Sequence, residues 1–343
     1  MKHKGYICYS MAVLIVILFL CNLFYGSVSI PVSTVMDILF GKEVERSSWT
    51  VIVLQSRLPQ AITALLAGAA LAVSGLMLQT LFQNPLAGPS ILGISNGANL
   101  GVAIVMLYSG GIVGLGSGVS LGTNLSIVFA ALIGSLSVLL LILYFSARVR
   151  SNILVLIIGI MVGYIASSGI SVLNSLASSE NIRSYVLWGL GSFSDVSYPQ
   201  MTFYSITVLI GLFASLLLIK PLNALLLGER YAANLGVNIK QTRIMILIVT
   251  GYLTAIITAF CGPVSFIGLA VPHIARMLLG TSNQRFLLPA TLLSGSAIAL
   301  LCNLLTTVPF GNTLLPLNAV TPLIGAPIII YVILSRKNSQ YFN

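Results

Sequence analysis

The side chains able to do chemistry are few: two histidines, six carboxylates and four cysteines in 343 residues. An enzyme needs a nucleophile with its base, an acid–base pair or a metal-binding set. His3 lies in the N-terminal tail, and His273 has no carboxylate or second histidine in its apolar stretch. HExxH and GxSxG patterns are absent from the sequence. Cys8, Cys21, Cys261 and Cys302 sit in or beside apolar tracts without CxxC spacing, which reads as buried, inert thiols. These residues predict a chain that is not an enzyme and binds no cofactor of its own.

The six acids, Asp37, Glu43, Glu45, Glu180, Asp195 and Glu229, all fall outside the long apolar tracts. Proton-coupled carriers usually place such groups inside their spans, where burial shifts their pKa. Sodium sites built from carbonyls and hydroxyls need no acid, so an ion-coupled secondary transporter stays open as the alternative. A phosphate-cradling G-x-x-x-x-G-K-S/T loop is also absent, since Gly41-Lys42 lacks the earlier glycine. If ATP drives this protein, ATP and magnesium belong to a partner subunit.

The elements that must position these residues are membrane spans. The chain is 57% hydrophobic and 6% charged, whereas soluble domains carry about 25% charged residues. A span needs about 20 apolar residues. Gly5–Met36 holds one, read as a retained first helix. Leu58–Ala147 runs 90 residues without a charged residue or histidine and fits three, turned at Asn84-Pro85 and in Gly110–Gly122. Ser151–Ser179, Val196–Ile219, Ile244–Cys261 and Ser265–Leu279 hold one each. Phe286–Ser335 fits two, separated by Pro309–Pro316. The prediction is an all-α, polytopic membrane protein of about ten helices, with residues 1–343 forming one domain.

Alternating these spans from a cytoplasmic N-terminus sorts the charges. Lys2, Lys4, Arg148, Arg150, Lys220, Arg230, Lys240, Arg243, Arg276, Arg285, Arg336 and Lys337 fall inside, against Lys42, Arg46, Arg57 and Arg183 outside. That is the positive-inside pattern, and it puts both termini in the cytoplasm. The net charge of +10 therefore reads as topology. No basic run is interleaved with aromatics, so nucleic acid is not an expected partner, while membrane lipid is. Small residues at Ala67–Ala70 and at Gly251, Ala255 and Ala259 predict close helix contacts.

Pro221–Arg243 is the longest structured inner segment, and about residues 222–240 of it form an elbow. Gly228 and Gly236 can break it into short helices, and Glu229 is the one acid on that side. Such an elbow can dock into a groove on another protein.

Arg57–Gly101 contains RLPQ, GAALAVSG, NPLAGP, LG and SNGA in order. GERYAANLGV, GPVSFIGLAVPHIARMLLG and LIGAPIIIYVIL follow. Together, over about residues 10–336, these stretches resemble the FecCD-type permeases, membrane subunits of importers for ferric siderophores, haem and vitamin B12. The resemblance implies a homodimer in the bacterial inner membrane, two ATP-binding-cassette ATPase subunits and an external substrate-binding protein. It implies ATPase coupling through Gly228, Glu229, Arg230, Ala232, Ala233, Leu235 and Gly236, with Glu229 facing the ATPase and Ala232 and Leu235 filling its groove. It implies a cytoplasmic gate at Ser151 and Asn152, and binding-protein docking through Arg57. The family's second arginine is Gln60 here, so Arg46 and Arg183 are further docking candidates. The family's E-x-P-x-G stretch reads Leu314-Leu315-Pro316-Leu317-Asn318, without the acid or the glycine. Asn84-Pro85-Leu86-Ala87, Pro272-His273 and Arg276 are expected to be structural.

Overall fold

The computed structural model describes residues 2–108, 121–149, 151–307 and 315–335. Within them fourteen helices follow one another and no strand occurs. They are α1 (Lys2–Phe24), α2 (Val32–Leu39), α3 (Ser47–Leu81), α4 (Ile94–Tyr108), α5 (Leu121–Arg148), α6 (Asn152–Leu176) and α7 (Ser179–Gly189). Then come α8 (Tyr198–Leu217), α9 (Ile219–Leu225), α10 (Glu229–Asn234), α11 (Ile239–Cys261), α12 (Ile267–Leu279), α13 (Gln284–Thr307) and α14 (Leu317–Ser335). Seven are long and apolar enough to cross a membrane, and α4, α12 and α14 are shorter apolar helices. Together these ten occupy the ten predicted spans. The turns expected in Gly110–Gly122 and Pro309–Pro316 fall largely outside the described residues.

Two elements went unread in the sequence. α2 and α7 are short helices lying between spans, and α3 begins at Ser47, eleven residues before the uncharged tract does. Its first turns run through Arg57 as a π-helix over Ile52–Arg57. Charge placement marks where a helix can no longer sit in lipid, not where its backbone starts.

The helix α3 is the hub. Its apolar window is 89% buried, against 22% for α1 and α6. It packs against α8, α11, α12 and α13. Hydrophobic burial cannot hold helices together in lipid, so close backbone approach must. A methyl group on Gly68 would lie 2.2 Å from the Gly295 carbonyl oxygen, and one on Gly75 would lie 1.7 Å from that of Gly268. Gly251, Ala255 and Ala259 of α11 are likewise buried. Leu, Ile, Val and Phe side chains on α1, α5, α6 and α8 stay exposed, as lipid-facing surfaces do.

Arg57 occupies a place unlike the one expected of it. It is buried, and its Nη1 donates to the carbonyls of Leu23 and Phe24, both at 2.9 Å. Its Nη2 donates to the Val28 carbonyl. A guanidinium offers five donors in a fixed fork, which suits it to gathering the carbonyls that end α1. Arg57 thus bonds within its own chain and fastens the α1–α2 link to α3.

Two consequences are measurable as thermal midpoints of the detergent-solubilised chain. Gly75→Ala forces α3 off α12 and should cost on the order of 1–3 kcal/mol. Gly5→Ala, where a methyl meets nothing within 4 Å, should be neutral. Arg57→Gln strands buried carbonyls and should cost about 2–3 kcal/mol; an unchanged midpoint would return Arg57 to the surface.

Candidate functional site: a coupling face and a far-face pocket

Polar side chains gather at the two ends of the bundle. At one end, α9, α10 and the start of α11 form the elbow foreseen in residues 222–240. Gly228 at φ +94° and Gly236 at φ +84° flank α10, and that left-handed backbone is why both positions are glycine. The Gly228 N–H donates to the Leu225 carbonyl at 3.0 Å, and Val237 N–H to Ala232 at 3.1 Å. Asn238 then caps α11, its Oδ1 accepting from Gln241 N–H at 3.1 Å.

The elbow is stitched to the bundle from four directions. Gln83, itself at φ +46°, donates to the Leu225 carbonyl at 3.1 Å. Asn223 Oδ1 accepts from Gln284 N–H at 2.8 Å. Asn152 Nδ2 donates both to the Leu81 carbonyl at 2.9 Å and to Glu229 Oε1. Arg243 is buried, with Nη1 donating to the Val149 carbonyl at 2.8 Å and Nη2 lying 3.9 Å from Glu229 Oε1. One carboxylate thus joins the elbow to the end of α3, to the residues between α5 and α6, and to α11.

This arrangement revises the expected roles. Glu229 bridges Asn152 and Arg243 of its own chain while its side chain stays 40% exposed. Ala232 is fully buried, so it cannot fill a partner's groove. Arg230, Ala233 and Leu235 are exposed, as expected. Tyr231 and Leu227, which the sequence reading passed over, are exposed at 65% and 62%, beside Leu235 at 62%. Tyr231 and Leu235 are one helical turn apart, so they share a face. Their i, i+4 spacing was the available signal. Ser151 is exposed at the N-cap of α6, next to Asn152.

Neighbouring motif residues are structural, as read. His273 Nε2 pairs with the Pro85 carbonyl at 2.9 Å, and Arg276 Nη1 donates to Gln79 Oε1 at 2.7 Å. Gln79 in turn donates to the Leu269 carbonyl at 3.2 Å. They lock the Asn84-Pro85 turn and α12 to the end of α3.

At the far end of the bundle, a pocket of about 280 Å³ opens between the ends of α3 and α13 and the segments 190–194 and 315–317. Gln60, Ser192, Ser194, Asn303, Thr306 and Thr307 supply its polar wall. Gln60 Nε2 donates to Asn303 Oδ1 at 3.0 Å, and Asn303 Nδ2 donates to Asn22 Oδ1 at 2.7 Å. Asn22 Nδ2 ends this amide ladder on the Leu300 carbonyl at 3.0 Å. Asn318, another departure from the family pattern, fastens the neighbouring loops. Its Nδ2 donates to Gly189 and Pro263 carbonyls at 3.1 and 2.6 Å, and its Oδ1 accepts from Ser265 N–H at 3.1 Å. Leu314 lies outside the described residues.

Arg46 and Arg183 are exposed on this far end, Arg46 lying 5.1 Å over the Trp49 ring. Asp195 also lies here. Though the residue is exposed, its carboxyl borders a cleft with Trp188 and Phe260, and burial pushes its pKa up to about 6 against a bond from Ser192.

Among the described residues, no three His, Cys, Asp or Glu side chains group to hold a metal. What the geometry offers is an elbow wired into helix ends, and a neutral polar pocket across the bundle.

Known proteins share this plan. Residues 14–335 match the model of the FecCD transport family. The vitamin B12 import system permease protein BtuC of Klebsiella pneumoniae is 36% identical over 283 residues, 82% of each chain. That of Citrobacter koseri is 34% identical over 284 residues, 82% of this chain and 83% of that one. A solved metal-chelate-type ABC transporter in an inward-facing conformation superposes with TM-score 0.83 at 28% identity, covering 96% of this chain and 99% of that one. With the family matched along nearly its whole length and the same helical plan in a solved transporter, the chain belongs to the FecCD transport family.

Proposed function

We propose that this chain is the membrane permease of an ABC importer that moves cobalamin or a bulky iron chelate, a ferric siderophore or haem, into the bacterial cytoplasm. It works as a homodimer in the inner membrane, with the elbow and both termini cytoplasmic. Two ATPase subunits, which hold the ATP and magnesium, press on the elbow, and an external binding protein delivers substrate to the far end. The relatives that import vitamin B12 and the metal-chelate transporter support the substrate class.

The observation that carries the coupling mechanism is the bridge from Glu229 to Asn152 and Arg243. Leu227, Tyr231 and Leu235 form an apolar face for an ATPase groove, in the manner of helix-in-groove recognition. Force applied there reaches Glu229 within one short helix. Glu229 passes it to Asn152 at the head of α6 and, through Arg243, to the Val149 carbonyl at the end of α5. The Ser151–Asn152 gate is therefore moved through Glu229, which lies behind the apolar face that receives the push. Docking and transmission are separate jobs on opposite faces of α10.

The test is to purify the chain from its native membrane, identify what accompanies it, and measure uptake per ATP hydrolysed in vesicles. The ATPase should accompany the wild type and be lost with Leu235→Asp. Glu229→Lys sets a cation beside Arg243 and removes the acceptor for Asn152. It should keep the ATPase bound and hydrolysing while uptake falls about tenfold, the equivalent of a 1.4 kcal/mol coupling loss. Full uptake in Glu229→Lys would dismiss the bridge. A homodimer with no ATPase, transporting on an ion gradient, would favour the ion-coupled carrier.

A further inference from the structure

We infer that the groove between α5 and α6 binds an anionic phospholipid, with one acyl chain lying in the groove and the phosphate on Arg148. The inference needs only the membrane-spanning plan, so it can fail while the importer reading holds.

The groove exists because glycines bring two helices very close to a third. A methyl group on Gly101 would lie 2.1 Å from the Ala130 carbonyl oxygen, and one on Gly134 2.1 Å from that of Gly97, so α5 sits directly on α4. A methyl on Gly93 would lie 2.7 Å from the Gly159 carbonyl oxygen, so α6 sits on the start of α4 as well. Between α5 and α6, over α4, a cavity of about 440 Å³ is left. Ile133 and Leu141 on α5 and Val162 and Ile165 on α6 supply its walls. Ser137 is the one polar side chain lining it, and its hydroxyl already donates to the Ile133 carbonyl at 2.7 Å. Water would find too few polar partners there, and an empty space would forfeit the dispersion contacts of its lining. A flexible hydrocarbon chain satisfies both conditions.

Depth and charge identify the rest of the ligand. From Ala130 to Leu141 the groove runs about 16 Å along α5, at about 1.5 Å per residue. That is about one leaflet's half of the roughly 30 Å hydrocarbon core. The same line of α5 then reaches a cation. Arg148 follows Ala130 by eighteen residues, or five full turns. Its guanidinium folds back over the ring of Tyr144, one turn nearer the groove, at 4.2 Å from the centroid. Arg148 is exposed, and the ion pairs among the described residues are Lys42–Asp37 and Arg243–Glu229. No carboxylate of the described residues therefore neutralises Arg148. A lipid phosphate at headgroup depth would, while its acyl chain enters the groove past Tyr144.

A second copy of the chain has another face to cover. Tyr164, Ser167 and Ser171 are exposed on the opposite side of α6 from Val162, Ile165 and Ala166. Exposed hydroxyls suit a protein partner or a pathway; the apolar groove suits lipid.

The experiment titrates phosphatidylglycerol or phosphatidylcholine, with matched chains, into the delipidated complete chain in detergent, and counts bound lipid by native mass spectrometry. Wild type should hold phosphatidylglycerol about fivefold more tightly, the contribution of one basic side chain at an anionic surface, with the preference shrinking at high salt. Arg148→Gln should abolish the preference and Arg148→Lys keep it. Ser137→Phe, which fills the groove, should weaken both lipids. Arg148 is exposed, so Arg148→Gln should leave the lipid-free thermal midpoint unmoved, which separates loss of the site from misfolding. Phosphatidylglycerol with a photoreactive tail should label α5 and α6 beside the groove. Equal affinity for the two lipids in wild type, an unmoved preference in Arg148→Gln, or label spread evenly over α1, α5, α6 and α8 would overturn the inference. So would loss of the label on dimerisation, which would give the groove to a second copy. Tighter retention of oleate than of phosphatidylglycerol would give it to a free fatty acid and overturn the phospholipid assignment.

Discussion

Glycine-to-carbonyl contact along α3 is the constraint on which this structure depends. In water, burial of apolar surface would hold ten helices together. In lipid that drive is missing, and the helices are held by approach close enough that a single methyl would not fit. Gly68 against Gly295 and Gly75 against Gly268 set α3 against α13 and α12 at two heights. With the hub so fixed, its two ends are fixed too. One end carries Gln79 and Leu81, followed by Gln83, and these locate α12, the head of α6 and the elbow. The other carries Arg57 and Gln60, which locate the end of α1 and the far pocket. Both candidate sites are thus built on one rigid rod.

A second constraint follows from the first. Contacts this close leave little room for polar side chains between the helices, and those present mostly bond a backbone carbonyl within the bundle, as Ser296 does to Leu65 at 2.9 Å and Tyr204 to Thr63 at 3.2 Å. Charge is displaced to the ends, where it has two uses. Spare charge reports topology or steers a partner. Committed charge, as in Arg57, Arg243 and Arg276, ties loops to helix ends. A charged residue in this chain has to be assigned to one use or the other before it is given a role.

Sequence alone can find the ends of spans but cannot make that assignment. The ten spans were legible because a 90-residue uncharged tract has few solutions and the charges sort by side. Gly228 and Gly236 were legible because an elbow needs a backbone that only glycine takes easily. Which way Glu229, Ala232 and Arg57 face was not legible. The two ends of a short helix differ by 100° per residue, and a motif match carries no direction. Ala232, taken as surface, turned inward, and Glu229 bonds within the chain while staying partly exposed, whereas Leu227 and Tyr231 turned out. α7 was missed because SENIRSYVLWG is too polar to read as a span and too apolar to read as a loop.

The departures from the family pattern become coherent once placed in space. Gln60 and the Leu315–Leu317 stretch are 255 residues apart in sequence from Gln60 to Leu315, yet both line one pocket. Asn318, where the family has glycine, holds the adjoining loops with three hydrogen bonds. The side chains that Gln60 and Leu315–Leu317 bring to this cavity are neutral, and so are the others that line it. The elbow shows the opposite behaviour, for Gly228, Glu229 and Gly236 keep the family's form.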